Sequence, residues 1–350
     1  MRIGIISRWN ATCGVSLHAE LLGRELLRRG HRISVFASLT ESANRWWHHR
    51  LIREDEDFVK RIYTELDPSG GQGKLPPEEI LSQKLDVLIV ESYEKIPYGD
   101  VEKTVRELKK RGVPSVGVIH EGVKEDISYS PGLFDAVAVF DTRYVKEVGA
   151  DSLTSGPLEV IPYPCLPPVR RERRFADGGK VRFFSFGRQP LCEYRDFLEV
   201  LARLSGEIDL EYRVIRASDP VDFEAEWLSQ EVRVIDTEEI YRELLRADFH
   251  LLPKGDTRRV VISSTFYQTV GSLALTVSRK SRFFEEEEKL KPPPLILYEN
   301  PEDLLGKIMR AVSDRNFREE IRHSAGSFAE ERRVERVADL FEALIHSVVV

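Results

Sequence analysis

The segment PKGDTRRVVISSTFYQTVG, at positions 253–271, combines several cations and hydroxyl groups with a single acid. Its cations are Lys254, Arg258 and Arg259. Arginine and lysine side chains pair with phosphate oxygens, and free backbone N–H groups at a helix start also receive phosphates. The hydroxyl residues at the expected helix start are Ser263, Ser264 and Thr265. The segment therefore predicts an anion-binding site, with solvated arginines and a simple helix cap as the alternative.

The elements that would position this site begin with a series of alternating segments in the first 165 residues. Short β-branched runs alternate there with amphipathic stretches, which is typical of a parallel sheet covered by helices. The predicted strands are 2–7, 32–37, 86–90, 115–120, 136–140 and 158–162. Between the first two, four leucines at helical spacing end at Gly30, which predicts a βαβ unit.

A second alternating series follows a segment rich in proline, charge and glycine, 167–179, which we interpret as a linker. Its predicted strands are 181–186, 212–215, 232–235, 249–252, 273–277 and 295–298. Helices close the chain, including one over about 327–346. We therefore expect an α/β fold of two Rossmann-like α/β/α domains, 1–166 and 180–326, facing a central cleft. Residues 327–350 form a C-terminal helix that can return to the first domain.

Composition limits the class of protein and its compartment. A chain of 350 residues is too long for one ordinary core, which favours two domains. The net charge of −7 argues against nucleic-acid binding. Three widely spaced cysteines fit a reducing, cytoplasmic environment better than disulfides or a zinc site.

We expect no signal peptide and no integral membrane segment, which would need about 18 apolar residues. Heavy use of arginine and glutamate favours a thermophilic source.

A series of short motifs spans nearly the whole chain in a recognisable order. They are MRIGIIS, CGVSLHAELLGRELLRRGHRISVF, DVLIV, VGVIHEG, FDAVAVFDTRYVKEVG, EVIPYP, FFSFGR, EIYRELLRADFHLLPK and TVGSLALTVS. In order and spacing the chain resembles the GT-B glycosyltransferases, and within them the family 4-like group of retaining sugar-nucleotide enzymes. The resemblance implies a GT-B fold, with the donor on the second domain and the acceptor on the first. It also implies sugar transfer from a nucleotide diphosphate donor without a metal or other cofactor.

The resemblance also implies roles for single residues. Gly14 matches a glycine of the first turn, where a phosphate or sugar can approach the backbone. His120, at a strand end, matches a histidine that approaches the donor sugar and the reacting region. The implied donor and phosphate contacts are Gly14, Gly187, Arg188, Arg195, Lys254, Arg258, Ser263, Ser264 and Thr265. Arg195 stands one residue from the position of a family lysine, which is Tyr194 here.

One family pattern is missing from the sequence. The two acids of its Glu-x7-Glu motif align with Arg258 and Phe266. The leading hypothesis is a metal-independent hexosyltransferase that acts with retention. The alternative is a GT-B protein that binds a sugar nucleotide or phosphosugar without transfer, and a third hypothesis is another GT-B activity such as epimerisation or phosphorolysis.

The acceptor is not determined by the sequence and could be a glycan, a polyol or a lipid. The aromatic pair Trp46 and Trp47, in WWHH, and the acid Glu121 are the candidate acceptor contacts, with core packing as the alternative for the tryptophans. The run Asp55–Asp57 imitates an Asp-x-Asp metal motif, but we expect it to lie among charged helical residues. No metal site is predicted.

Overall fold

The computed structural model describes residues 1–46, 49–170 and 173–349, which divide into two compact units. Unit 1 comprises Met1–Pro164, Arg259–Ser264 and Val334–Val350. Unit 2 comprises Cys165–Arg258 and Thr265–Arg333. The boundary between the units therefore crosses the chain four times, and the segment Arg259–Ser264 belongs to unit 1 although its neighbours on both sides belong to unit 2.

Unit 1 contains a seven-stranded parallel sheet with the order β3-β2-β1-β4-β5-β6-β7. Its strands are β1 (Arg2–Ser7), β2 (Arg32–Ser38), β3 (Val59–Tyr63), β4 (Val87–Ser92), β5 (Ser115–Ile119), β6 (Ala136–Val139) and β7 (Leu158–Val160). The central strands are buried almost throughout, as expected where helices cover both faces of a parallel sheet. Every residue of β4 is buried, including Glu91.

Helix α1 (Gly14–Arg28) begins directly after the loop that follows β1. The Cys13 side chain caps it by accepting from the Ser16 backbone N–H, and leucines on one face bury it against the sheet. The other helices of unit 1 are α2 (Thr40–Ala43), α3 (Pro77–Leu81), α4 (Tyr98–Lys110) and α10 (Val334–His346). Helix α10 packs on α1, where Arg29 pairs with Asp339 and Glu342.

Unit 2 contains a six-stranded parallel sheet with the order β10-β9-β8-β11-β12-β13. Its strands are β8 (Val181–Gly187), β9 (Leu210–Arg216), β10 (Leu228–Val232), β11 (Phe249–Leu251), β12 (Leu275–Arg279) and β13 (Ile296–Tyr298). Its helices are α5 (Arg195–Leu204), α6 (Thr237–Arg246), α7 (Ser264–Thr269), α8 (Pro301–Ser313) and α9 (Arg315–Glu331). Helix α7 begins at Ser264, the last residue of the unit 1 segment.

Four sequence predictions differ from these elements. The strand predicted over 232–235 lies earlier in the chain, at Leu228–Val232 (β10), whose sequence LSQEV is more polar than the VRVI that the prediction used. Strand β3 is not among the predicted strands, because its sequence VKRIY at the edge of the sheet has two consecutive cations and neither alternates nor forms an apolar run. The helix predicted over 327–346 is instead the end of α9 and the whole of α10, separated at Arg332 and Arg333. The run Asp55–Asp57 lies in a loop before β3 and not in a helix.

Within the described residues, no helix is long and apolar enough to cross a membrane.

Candidate functional site

The strand order of the unit 2 sheet reverses between β8 and β11. From β8 the chain moves outward through β9 and β10, and then returns to β11 on the other side of β8. In open parallel sheets, ligands bind beyond the carboxyl ends of the strands at such a point. Strand β8 ends at Gly187 and β11 at Leu251. Residues that follow these two strands, Arg188 and Lys254 among them, therefore belong to the edge where the fold favours a ligand.

Gly187 turns the chain at the end of β8 with a backbone that only glycine adopts easily. Its φ is +120°, a value that strains any residue with a Cβ. An added Cβ would also lie 2.6 Å from Oε1 of Gln189, although that side chain can move. The positive φ is therefore the stronger requirement, and it sets the position of the half-buried Arg188 that follows.

Lys254 has an unusual environment for a lysine. Burial lowers its pKa to about 8, although the negative charge of Glu193 opposes the shift. Its ammonium lies 4.5 Å from the centre of the Phe283 ring. Glu193 is close to this loop, because a Cβ on Gly255 would lie 2.7 Å from a Glu193 carboxylate oxygen. An anion bound beside Lys254 would favour its charged form and raise its pKa.

The other two predicted cations of unit 2 are exposed. Arg195 is the first residue of α5, and Arg258 precedes the segment that belongs to unit 1. Neither side chain makes a hydrogen bond or ion pair with the described residues. Tyr194, at the position of the family lysine, is fully buried, and the Arg216 guanidinium lies 4.8 Å from the centre of its ring. Tyr194 is therefore a packing residue.

The segment Arg259–Ser264 is fastened to unit 1 by backbone contacts. The Val260 N–H donates to the Gly122 carbonyl at 2.8 Å, and Arg143 donates to the Val261 carbonyl at 3.1 Å. Arg259 pairs with Asp126. A Cβ on Gly122 would lie 2.4 Å from the Val260 carbonyl oxygen, so this close approach requires glycine.

The structure brings Gly14 and Ser264 together. A Cβ on Gly14 would lie 2.9 Å from the Ser264 Oγ, and the Gly14 carbonyl accepts from the Tyr163 hydroxyl at 2.7 Å. Ser263 is buried. Thr265 belongs to unit 2, and its carbonyl accepts from the Thr269 hydroxyl at 2.8 Å. Helix α7 ends after six residues at Thr269.

His120 forms a buried cluster with two residues from other elements of unit 1. Its Nε2 lies 2.7 Å from Oε2 of Glu91, and Nδ1 of His18 lies 2.9 Å from each Glu91 oxygen. His18 comes from α1, Glu91 from β4, and His120 directly follows β5. The Phe140 ring contacts both histidines at 4.9 and 5.3 Å between centroids.

The charges in this cluster follow from burial and hydrogen bonding. Burial alone would raise the pKa of Glu91, but the two histidines outweigh it and lower that pKa to about 2. An ionised carboxylate only accepts, so the histidine nitrogens that face it carry the protons. Burial lowers the pKa of His120. A neutral His120 with its proton on Nε2 presents the lone pair of Nδ1 as an acceptor.

Glu121 lies in a second buried network on the opposite face of the strands. Glu91 and Ser92 are consecutive in β4, so their side chains point to opposite faces. The Ser92 hydroxyl donates to Glu121 at 2.6 Å, and the Tyr98 hydroxyl donates to the same oxygen at 3.1 Å. Burial raises the pKa of Glu121 to about 7. Its other carboxylate oxygen makes no hydrogen bond with the described residues.

Trp46, one of the two tryptophans predicted as acceptor contacts, lies in the loop after α2. Trp46 is half-buried, and the Lys95 ammonium lies 4.2 Å from the centre of its ring. Trp47 lies outside the described residues. In the loop before β3, Asp55 pairs with Arg61, and Glu56 accepts from Trp9 and pairs with Arg24. These acids thus hold the loop to unit 1.

Comparison with known proteins gives a fold and no family. No protein-family model matches the chain. Trehalose-6-phosphate synthase from E. coli, bound with UDP-2-fluoro glucose, matches 99% of each chain at 10% identity with a TM-score of 0.64. The UDP-forming trehalose-phosphate synthase from Burkholderia xenovorans covers 100% of each chain at 13% identity with a TM-score of 0.63. The glycosyltransferase of kitacinnamycin matches 98% of this chain and 99% of its own at 16% identity, with a TM-score of 0.61. The chain has the GT-B glycosyltransferase fold.

Several residues of this GT-B protein that contact the predicted site residues of their own unit, or the partners of those residues, could not be singled out from the sequence. They are His18, Glu91, Ser92, Tyr98, Tyr129 and Glu193. Glu91 did carry a signal, because it is a single acid in the apolar run VLIVES near a strand end. His18 carried a weaker one, four residues after Gly14 on the buried face of α1.

The histidine cluster of the GT-B chain also has the composition of a metal site. His18, Glu91 and His120 each offer one ligand atom, and these atoms lie within 4.8 Å of one another. Two imidazoles and a carboxylate bind zinc or non-haem iron in other proteins. Here the nitrogen-to-oxygen distances of 2.7 and 2.9 Å are those of direct hydrogen bonds, so the three groups satisfy one another. The absence of a metal site stays a prediction.

Proposed function

We propose that the protein transfers a hexosyl group from a nucleotide diphosphate sugar to an acceptor, with retention of anomeric configuration. The observation that carries the proposal is the placement of Arg188 and Lys254 after β8 and β11, where the strand order of a GT-B fold reverses. The E. coli synthase of this fold, bound with UDP-2-fluoro glucose, supports the class of donor.

The chemistry that unit 2 would supply is stabilisation of the leaving group. When the glycosidic bond to the diphosphate breaks, negative charge develops on the departing phosphate oxygen, and fixed cations lower the barrier. Arg188 and Lys254 are the principal cations in this proposal. Arg195 and Arg258 add charge from exposed positions, and the hydroxyl groups of Ser263, Ser264 and Thr265 can donate to phosphate oxygens. These groups supply the charge without a metal or other cofactor.

The contribution that we propose for unit 1 is contact with the donor sugar. His120 is held by Glu91 with its proton on Nε2, so its Nδ1 would accept a hydrogen bond from a sugar hydroxyl. Gly14, at the start of α1, would contact a sugar or phosphate through its backbone, because Ser264 occupies the space where a Cβ would point. Glu121 and Trp46 are proposed acceptor contacts, for a glycan, a polyol or a lipid, and we place the reaction in the cytoplasm.

The test is an assay of nucleoside diphosphate release from UDP-, GDP- and ADP-sugars, with and without an oligosaccharide, a polyol or a lipid acceptor, in the presence of EDTA. We expect acceptor-dependent release from one nucleotide series, and a product with the anomeric configuration of the donor by NMR. Release that needs added divalent metal would contradict metal independence. Binding with no acceptor-dependent release would favour the alternative of a sugar-nucleotide binding protein.

A further inference from the structure

A cavity of about 1040 Å³ opens near the amino-terminal ends of the strands of the unit 2 sheet. Its floor includes Arg182 and Phe183, near the start of β8, and Asp248, which immediately precedes β11. The candidate donor site lies instead at the carboxyl ends of these strands, beyond Gly187 and Leu251. The two sites are therefore on opposite edges of one sheet, and a ligand of the cavity would be separate from the donor.

The acids in this cavity are mostly engaged. Glu211 pairs with Arg182 at 2.9 Å, and Glu243 pairs with Arg213 at 3.3 Å. Asp248 is buried, and its two carboxylate oxygens accept from the backbone N–H groups of Ala176 and Arg182 at 2.9 Å each. Only Asp177 has a carboxylate with no hydrogen bond or ion pair to the described residues.

Three arginines of the cavity have no acidic partner at hydrogen-bond distance among the described residues. Arg174 and Arg242 are exposed and make no hydrogen bond or ion pair with the part of the chain that the structure describes. Arg246 reaches only 3.9 Å from Glu243, whose carboxylate also pairs with Arg213. The lining of the cavity carries six arginines against four acids, an excess of two positive charges, in a protein whose net charge is −7.

We propose that this cavity binds a small anion with two or more phosphate groups, separate from the nucleotide sugar. The planar guanidinium fork of arginine matches phosphate oxygens, and three such groups around one recess suit several oxygens at once. A volume of about 1040 Å³ lies at the upper end of the size of small-molecule pockets, which reach about 1000 Å³, and leaves room for a phosphorylated metabolite. Binding of this anion would not require the proposed transfer reaction.

The experiment is calorimetric titration with inorganic pyrophosphate, which carries the proposed chemistry and no sugar or base. The wild-type protein is expected to bind two equivalents, one at each edge of the sheet. The Arg188→Ala variant should keep one equivalent. Adding Arg174→Ala, Arg242→Ala and Arg246→Ala to that variant should weaken the remaining equivalent at least tenfold.

A matched control removes the same charge elsewhere. Arg32, Arg315 and Arg336 are also exposed and unpaired within the described residues, and their triple alanine variant should bind pyrophosphate as before.

Three results would each overturn the proposal: an equal loss of binding in the control, no binding of pyrophosphate by Arg188→Ala, or binding of a polyglutamate peptide in place of pyrophosphate. If the wild type binds one equivalent that is lost in the cavity variant and kept in Arg188→Ala, the cavity stands and the donor site fails.

Discussion

Lys254 is the residue whose chemistry depends most on its place in the fold. In the sequence it is one of three cations in a loop, and nothing there distinguishes it from Arg258 or Arg259. In the structure it is half-buried beside Phe283 and Glu193, and its pKa falls to about 8. A lysine in this state binds an anion together with a proton whenever the pH is above its own pKa.

We expect the affinity for the nucleoside diphosphate that binds to depend on pH through Lys254. Below pH 8 the lysine is already charged, so the affinity should be flat. Above pH 8 binding must also take up a proton, and the affinity should fall by about tenfold per pH unit until the pKa of the complex is reached. Calorimetry between pH 7.5 and 9.5 measures this slope.

The control for Lys254 is its arginine variant. Lys254→Arg keeps a charge at every pH in this range, so its affinity should be nearly independent of pH. If the wild type is as flat as Lys254→Arg, then Lys254 does not contact the anion.

At the scale of elements, the turn after β8 determines where Arg188 lies. Gly187 has the positive φ that glycine alone adopts readily, and the strand before it is fixed by pairing with both β9 and β11. The position of the cation is thus set by backbone geometry and not by side-chain packing.

Gly187→Ala should therefore weaken nucleotide binding at least tenfold and cost on the order of 1–2 kcal/mol of stability. Gly30→Ala is the matched control, because Gly30 has φ +90° with no atom within 4 Å of an added Cβ and lies outside the proposed site. Thermal unfolding and calorimetry compare the two variants. If both variants lose the same stability and bind the nucleotide equally well, then the turn after β8 is not part of the site.

Most elements could be predicted from the sequence, since the apolar strand runs and the leucine-spaced α1 carry strong local signals. The residues of the candidate site differ in how far the sequence could predict their positions. Gly187 and Arg188 could be placed at a strand end because they follow the apolar run VRFFSF. The partners of His120 could not be predicted, because His18 and Glu91 are 73 positions apart and meet only when α1 packs beside β4 and β5. Similarly, the backbone contact of Val260 with Gly122 follows from no local pattern.

At the scale of the whole molecule, two sheets with reversed strand order are present, and the residues of the candidate functional site lie at the carboxyl ends of their strands. In unit 1 these are the buried clusters around Glu91 and Glu121, and in unit 2 they are Arg188 and Lys254. An acidic protein of net charge −7 thus concentrates cations where a GT-B fold is expected to receive an anion.

Calorimetric titration with UDP, GDP and ADP tests whether these cations bind the donor, using the wild type, Arg188→Ala and the exposed control Arg315→Ala. We predict that one nucleotide binds the wild type and the control equally. Arg188→Ala should weaken that binding on the order of a hundredfold, as expected for a lost charge-assisted contact of about 2–3 kcal/mol. Unchanged binding in Arg188→Ala, or no binding of any nucleotide to the wild type, would contradict a donor site at the carboxyl edge of the unit 2 sheet.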